Sequence, residues 1–199
     1  GTDDPTKVAP DARAKYAAVV ERDEALDWQA FASRVGLVFR RFHEAWSARD
    51  LAPVRPYLSD ALFDVQRYWV AAYEAERLRN VTERPRILTL HLSRVRSDAY
   101  YDSITVRVFA ECVDYTVNDA GEVVSGSKED LRRYSEYWTL IRASSARGAP
   151  RSEAVCPSCG APADHINMAG TCKSCNAEVT RGDFDWVLSR IEQDEVYEL

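Results

Sequence analysis

No stretch of this 199-residue chain is long and apolar enough to span a bilayer as a helix. The start, Gly1-Thr2-Asp3-Asp4-Pro5, lacks the basic and apolar regions of a signal peptide and lacks an initiator Met. It reads as the beginning of a fragment or processed form, with room for a membrane anchor removed upstream. Internal repeats and low-complexity tracts are missing, so no repeat array is expected. A basic stripe is missing too. The net charge is −6, with −3 in residues 1–27, +2 in 28–147 and −5 in 148–199. General nucleic-acid binding, which needs clustered Lys and Arg, is therefore not expected. The mildly basic middle owes its charge almost entirely to Arg, which leaves a local patch for acidic groups open. What the chain does have is 46% hydrophobic and 29% charged residues, enough for a real core under a hydrated surface.

The period of the apolar residues divides the chain. Residues 1–10 are polar and read as loose. Asp11–Leu26 has helical composition, with Tyr16, Val19, Val20 and Leu26 apolar. Residues 1–27 thus form an N-terminal arm or linker helix, packed on a partner, packed on its own domain, or solvated. From Trp28 to Arg49, Phe31, Val35, Val38, Phe39, Phe42 and Trp46 recur at helical steps, and Asp50 and Pro53 mark the end. Ser59 caps a second helix that runs to Arg79-Asn80, with Asn80 as a left-handed cap. The period then changes to two. Strands are predicted over Arg86–Ala99, Asp102–Val117 and Leu131–Arg142. On the first, Leu88, Leu90 and Leu92 share a face. On the third, Tyr134, Glu136, Trp138 and Leu140 do. Two helices followed by long antiparallel strands give an α+β domain over 28–147, with a pocket between sheet and long helix. Residues 144–154 read as a linker. Asp183 is expected to cap a last helix, with Phe184, Val187, Leu188 and Ile191 on one face, followed by an acidic tail, so that 183–199 form a final unit.

Residues 148–182 hold four of the five cysteines in two pairs, Cys156-Pro157-Ser158-Cys159-Gly160 and Cys172-Lys173-Ser174-Cys175-Asn176. Two residues between cysteines let both sulfurs converge on one metal, and Gly160 and Asn176 supply the positive φ such knuckles want. Cys156, Cys159, Cys172 and Cys175 are therefore expected to hold one structural Zn2+ as a ribbon, with no open position for catalysis. Two disulfides or a redox dithiol fit less well, since a redox pair comes singly at the start of a helix. Zinc thiolates need reducing conditions, which favours a cytoplasm-facing site. His165 is not needed as a ligand. Cys112, alternating with apolar residues, reads as a small buried hydrophobe. The Asn80-Val81-Thr82 sequon reads as chance.

Several stretches carry a resemblance: Phe31-Ala32-Ser33-Arg34-Val35, Ala45-Trp46-Ser47-Ala48-Arg49-Asp50, Arg55-Pro56-Tyr57-Leu58-Ser59-Asp60 and Ser135-Glu136-Tyr137-Trp138-Thr139-Leu140-Ile141-Arg142. Cys156–Pro162 and Asp185–Glu192 continue it. Over residues 28–199 the chain resembles bacterial proteins with a domain like subunit 44 of the mitochondrial translocase of the inner membrane. The resemblance implies a nuclear transport factor 2-like cone and a membrane-associated, lipid-binding or protein-transport role, without catalytic residues. The long charged region by which the mitochondrial relative engages its chaperone is not matched.

The expected function is thus a non-enzymatic membrane-associated binding or tethering module, with anionic lipid or a membrane protein as partner and no nucleic acid. Trp28, Tyr68, Trp69 and Tyr73 are the candidate interfacial aromatics, and Arg40 and Arg41 the candidate acid-binding pair. The alternative is a small-molecule or enzymatic pocket of isomerase or dehydratase type. Asp114, Tyr115, His91 and Tyr137 are its candidates, with His43 read as a surface or interhelical histidine.

Overall fold

The computed structural model describes residues 1–199. Three helices, α1 (Ala12–Arg22), α2 (Trp28–Ala48) and α3 (Asp60–Ala75), precede four strands, β1 (Leu78–Ser97), β2 (Tyr101–Asn118), β3 (Val123–Ala143) and β4 (Val187–Gln193). The strands form one antiparallel sheet in the order β1-β2-β3-β4. The α+β class, with a curved antiparallel sheet packed on helices, is as expected.

Local chemistry sets the helix ends. The Asp27 carboxylate accepts the Ala30 N–H at 2.8 Å and starts α2. Arg49, in the left-handed region at φ 53°, ends it, and its guanidinium reaches the Leu78 carbonyl at 3.3 Å. Ser59 caps α3 through the Leu62 N–H. That helix stops at Ala75, earlier than expected, and the left-handed residue is Arg77, not Asn80, which lies in β1.

Two strands start well before their expected ends. β1 begins at Leu78 and passes through a register shift between Glu83 and Arg86. Arg84 (φ 51°) and Pro85 occupy the shift, and an edge strand tolerates both because that residue pair owes no ladder hydrogen bond. A second shift at Leu88 turns Ile87, with Leu90 and Leu92, toward the core in its place. β3 begins at Val123 and pairs Gly126 with Tyr115 across another shift. Gly126 sits at φ 77°, and a Cβ there would lie 2.2 Å from the Asp114 carbonyl oxygen, so only glycine fits.

The segment expected as a last helix is the strand β4. Its residues Leu188 and Ile191 pair with Leu140 and Trp138 of β3, and Ser59 N–H donates to the Leu188 carbonyl at 2.9 Å. Helical spacing was present, but the open edge of β3 offered a ladder plus apolar burial, which outweighs weak propensity. Asp183 caps nothing. Instead the neighbouring Asp185 accepts from the Arg151 N–H at 2.8 Å.

One apolar core of 24 residues joins the helices to the sheet and to the chain after the cysteine segment. It takes Tyr16 and Val19 from α1, so that helix packs on its own domain. Phe31, Val35, Val38 and Phe39 come from α2, and Ile104, Val106, Val108 and Ala110 from β2. Trp186 and Leu188 come from beyond the cysteine segment. Residues 1–10 are not loose. They cross the outer face of the sheet, where Ala9 N–H donates to the Ser93 carbonyl and Lys7 N–H to the Tyr137 hydroxyl. Arg107, 1% exposed, donates to the carbonyls of Gly1 and Asp4 and pairs with Asp194 at 3.0 Å.

Candidate metal centre and cavity

The two cysteine knuckles face each other. The Sγ atoms of Cys156, Cys159, Cys172 and Cys175 all lie within 4.8 Å of one another. Cys156 and Cys175 are 4.0 Å apart, Cys159 and Cys172 3.9 Å. A metal–sulfur distance of about 2.3 Å in a tetrahedron requires sulfurs about 3.8 Å apart, so the donor set fits a thiolate-bound ion. A disulfide needs about 2 Å, and all five cysteines are free thiols. Gly160 (φ 78°) and Asn176 (φ 62°) occupy the two left-handed knuckle positions read from the sequence. Burial pushes the Cys156 thiol up to about 11, whereas at Cys172 the backbone N–H groups of Cys175 and Ser174, with the neighbouring thiols, outweigh burial and bring the thiol down to about 7. His165 takes no part. Its Nδ1 lies 2.7 Å from the Ser174 hydroxyl.

The cysteine segment has only four buried apolar residues, Cys156, Ile166, Cys172 and Val179. It is docked against the cone through charged groups. Arg55, 3% exposed, donates to the Met168 and Leu58 carbonyls, pairs with Asp60 at 2.6 Å and lies over the Phe63 ring. Asp60 also accepts from the Thr180 hydroxyl at 2.8 Å. Arg34, 2% exposed, donates to the Trp186 and Arg151 carbonyls and lies 3.6 Å from Asp185. Burial lowers the Arg34 pKa, and the neighbouring Asp185 opposes that. The residues 144–154 expected as a linker are held down as well, with Gly148 bonded to both Asp23 and Arg142.

A cavity of ≈ 590 Å³ opens between α2, α3 and the inner face of the sheet. The reading of a pocket at this place is met. Phe42 and Trp46 of α2 stack 6.4 Å apart, and Trp46 meets Tyr73 of α3 edge-on at 5.7 Å. Polar groups close the far wall. His43, buried, bridges the sheet, with Nδ1 2.8 Å from the Thr82 hydroxyl and Nε2 2.9 Å from the Tyr134 hydroxyl. It is neither a surface residue nor merely interhelical. Burial drives its pKa down to about 4, so it is neutral at physiological pH. Asp114 is engaged by Arg132 at 2.8 Å and by the Asn80 amide at 2.9 Å. Asn80 is thus a structural link that also accepts from the Trp46 indole, not a modification site. Glu136 is different. One oxygen accepts from Gln193 of β4 at 3.1 Å, and no basic side chain pairs with it. Burial pushes its pKa up to about 7.

Of the residues read as pocket candidates, only Asp114 lines the cavity. Tyr137 and His91 lie on the outer face under the N-terminal segment, and the Tyr115 hydroxyl donates to Glu83. The four do not converge. Glu136 and Tyr134 were missed as a site, although both sit among inward apolar residues at every second position of β3. Cys112 is buried as read, and burial raises its thiol to about 11. Of the interfacial candidates, Trp28 packs against the core and Tyr73 lines the cavity. Tyr68 and Trp69 stay 67% and 49% exposed. Arg40 is exposed, while Arg41 pairs with Glu44 at 3.1 Å. No helix is long and apolar enough to cross a membrane.

A comparison with curated proteins gives no match. The Tim44-like domain matches residues 12–151, which spans α1, the long helix, the first three strands and all of the cavity lining but Ile191 and Gln193, and ends just before the first knuckle. With a match over most of its length, on the fold that carries the cavity, the chain belongs to the Tim44-like domain family.

Proposed function

We propose that this chain is a non-enzymatic, membrane-associated binding or tethering module of the protein-transport type, braced by a structural zinc ion. The observation that carries the reading is the exposed stripe of Val65, Tyr68 and Trp69 on α3, at the mouth of the aromatic cavity. Large apolar side chains left in water beside a concave site fit an interface with a bilayer or a membrane protein. Zinc is the ion that four thiolates at this spacing suit best, and its role is to hold the cysteine segment, since a closed thiolate shell leaves no position for substrate. The partner is anionic lipid or a membrane protein, met by the α3 aromatics with Arg40 as a flanking charge.

Flotation with anionic and neutral liposomes, at low and moderate salt, tests this. Salt-sensitive flotation with anionic vesicles only, reduced severalfold by Tyr68→Ala with Trp69→Ala, is the expected result. No flotation under any condition removes direct lipid contact and leaves a protein partner.

A second reading is favoured by one observation, the Glu136 carboxyl and the Tyr134 hydroxyl two residues apart on β3 and both lining the cavity. A proton donor and acceptor so placed suits isomerase or dehydratase chemistry. Deuterium exchange from solvent into ketone probes, lost in Glu136→Gln, would support it. No exchange with any probe would leave the cavity a binding site.

A further inference from the structure

The charges around the cavity are not balanced for the acidic ligand that an Arg-rich chain suggests. On α2 the only titratable group facing the cavity is His43, which is neutral and already bonded on both ring nitrogens. β2 contributes Cys112 and Asp114, β3 contributes Arg132, Tyr134 and Glu136, and α3, β1 and β4 contribute no charged side chain to the lining. Arg132 pairs with Asp114 at 2.8 Å and acts on Glu136 only through space, more weakly than burial. Asp194, next in sequence to Gln193, is spent on the outer face against Arg107 and Ser135. The net result is a cavity with no free cation and one free carboxylate, Glu136, walled by the rings of Phe42, Trp46, Trp69 and Tyr73.

A lone carboxylate among aromatic faces is complementary to one class of ligand. The ring quadrupoles attract a cation, and the carboxylate supplies its counter-charge away from bulk water. An anionic headgroup at the same place would meet Glu136 with nothing to offset it. We propose that the cavity binds an organic ammonium ion, an amine or quaternary ammonium carried on an apolar body, with Glu136 as its counter-charge. This rests on the cavity being a ligand site, as the second reading above has it, and stands apart from the α3 surface of the first. A volume of ≈ 590 Å³ suits a small amphiphile rather than a bare ion. The raised pKa of Glu136, about 7, adds a pH signature, because the carboxyl must lose its proton to pair with the ligand.

Three probes of equal chain length test the idea on the full zinc-loaded chain: decyltrimethylammonium, decanol and decanoate, all below their micelle concentrations. Calorimetry and the fluorescence of the cavity tryptophans read binding at pH 6 and pH 8. The expected order at pH 8 is the ammonium first, then the alcohol, then the carboxylate. Ammonium affinity should rise about tenfold from pH 6 to pH 8, the change in the ionised fraction of a group with pKa about 7. Glu136→Gln should bring the ammonium to the level of the alcohol, abolish the pH difference and leave the alcohol unchanged. If that variant does not fold, the ranking and pH profile of the unaltered chain decide alone. Alcohol and carboxylate binding with no preference for the ammonium overturns the inference and keeps the cavity. Binding of none of the three overturns the inference and the cavity reading with it.

Discussion

The cone and the cysteine segment solve the same problem in opposite ways. The cone buries a 24-residue apolar core and can leave polar groups facing a cavity. The cysteine segment buries four residues, two of them metal-ligand candidates, and cannot close on apolar burial alone. On the function proposed above, the cone would carry the recognition chemistry and the segment the cross-link. The difference teaches where each is vulnerable: one to cavities and charge, the other to loss of a single ion.

The largest expected effect comes from removing the ion. Structural zinc sites contribute about 10–16 kcal/mol of apparent binding energy, far above what four buried residues supply. Chelation, or Cys172→Ser, should open residues 155–180 to protease while the cone stays folded. Mass spectrometry should count one zinc per unaltered chain and none in the variant. A segment that stays protected without metal would erase the contrast between the two regions.

Next is the joint between them. Arg34→Ala takes both guanidinium donors from the buried Trp186 carbonyl and the opposing charge from Asp185, which keeps only backbone N–H partners, and should cost about 3–5 kcal/mol in denaturant unfolding. A loss below 1 kcal/mol would mean that the two regions barely depend on each other. Within the cone, Gly126→Ala should cost about 2–3 kcal/mol, because a left-handed φ and an overlap with the Asp114 carbonyl both oppose a side chain. Circular dichroism melting would show it as a lowered Tm.

The smallest effect is in the titration of the cavity. His43 falls from 6.5 to about 4 on folding, so its contribution is full above pH 6.5 and is lost as pH drops toward 4. Glu136 has the opposite sign. Its pKa rises from 4.5 to about 7, so stability is lost as pH climbs through that window. Glu136→Gln should stabilise the chain at pH 8 by about 1–2 kcal/mol, less than the full shift because the carboxyl keeps part of its solvation at the cavity mouth, and should lose that advantage below pH 4.5. An equal advantage at both pH values would mean packing, not charge, is responsible.

Most of the cone was legible because its signals are local. The apolar face of α2 and the alternation of β2 each follow from one stretch of chain, and the cysteine spacing predicted the sulfur cluster. What was missed depends on partners far away. Residues 184–191 have helical spacing, but only the finished β3 edge makes them a strand. The first strand was expected only from Arg86, and only the edge position lets β1 run through Arg84-Pro85. Residues 1–10 look polar and free until Tyr137, Ser93 and Arg107 present their partners. Glu136 sat in plain view in an inward row, but its isolation shows only when Arg132 is seen to be taken by Asp114.

The order of the chain has one more consequence. β4 follows the cysteine segment in sequence yet closes the sheet beside β3, and its Ile191 and Gln193 line the cavity. Residues 144–186 are therefore a hairpin loop in the topological sense, and a metal held by the four cysteines would act as a clip that takes up its slack. Unclipping it lengthens the tether on β4, whose Gln193 donates to Glu136, so oxidation or loss of the ion at one end of the molecule would be felt as a looser wall at the other.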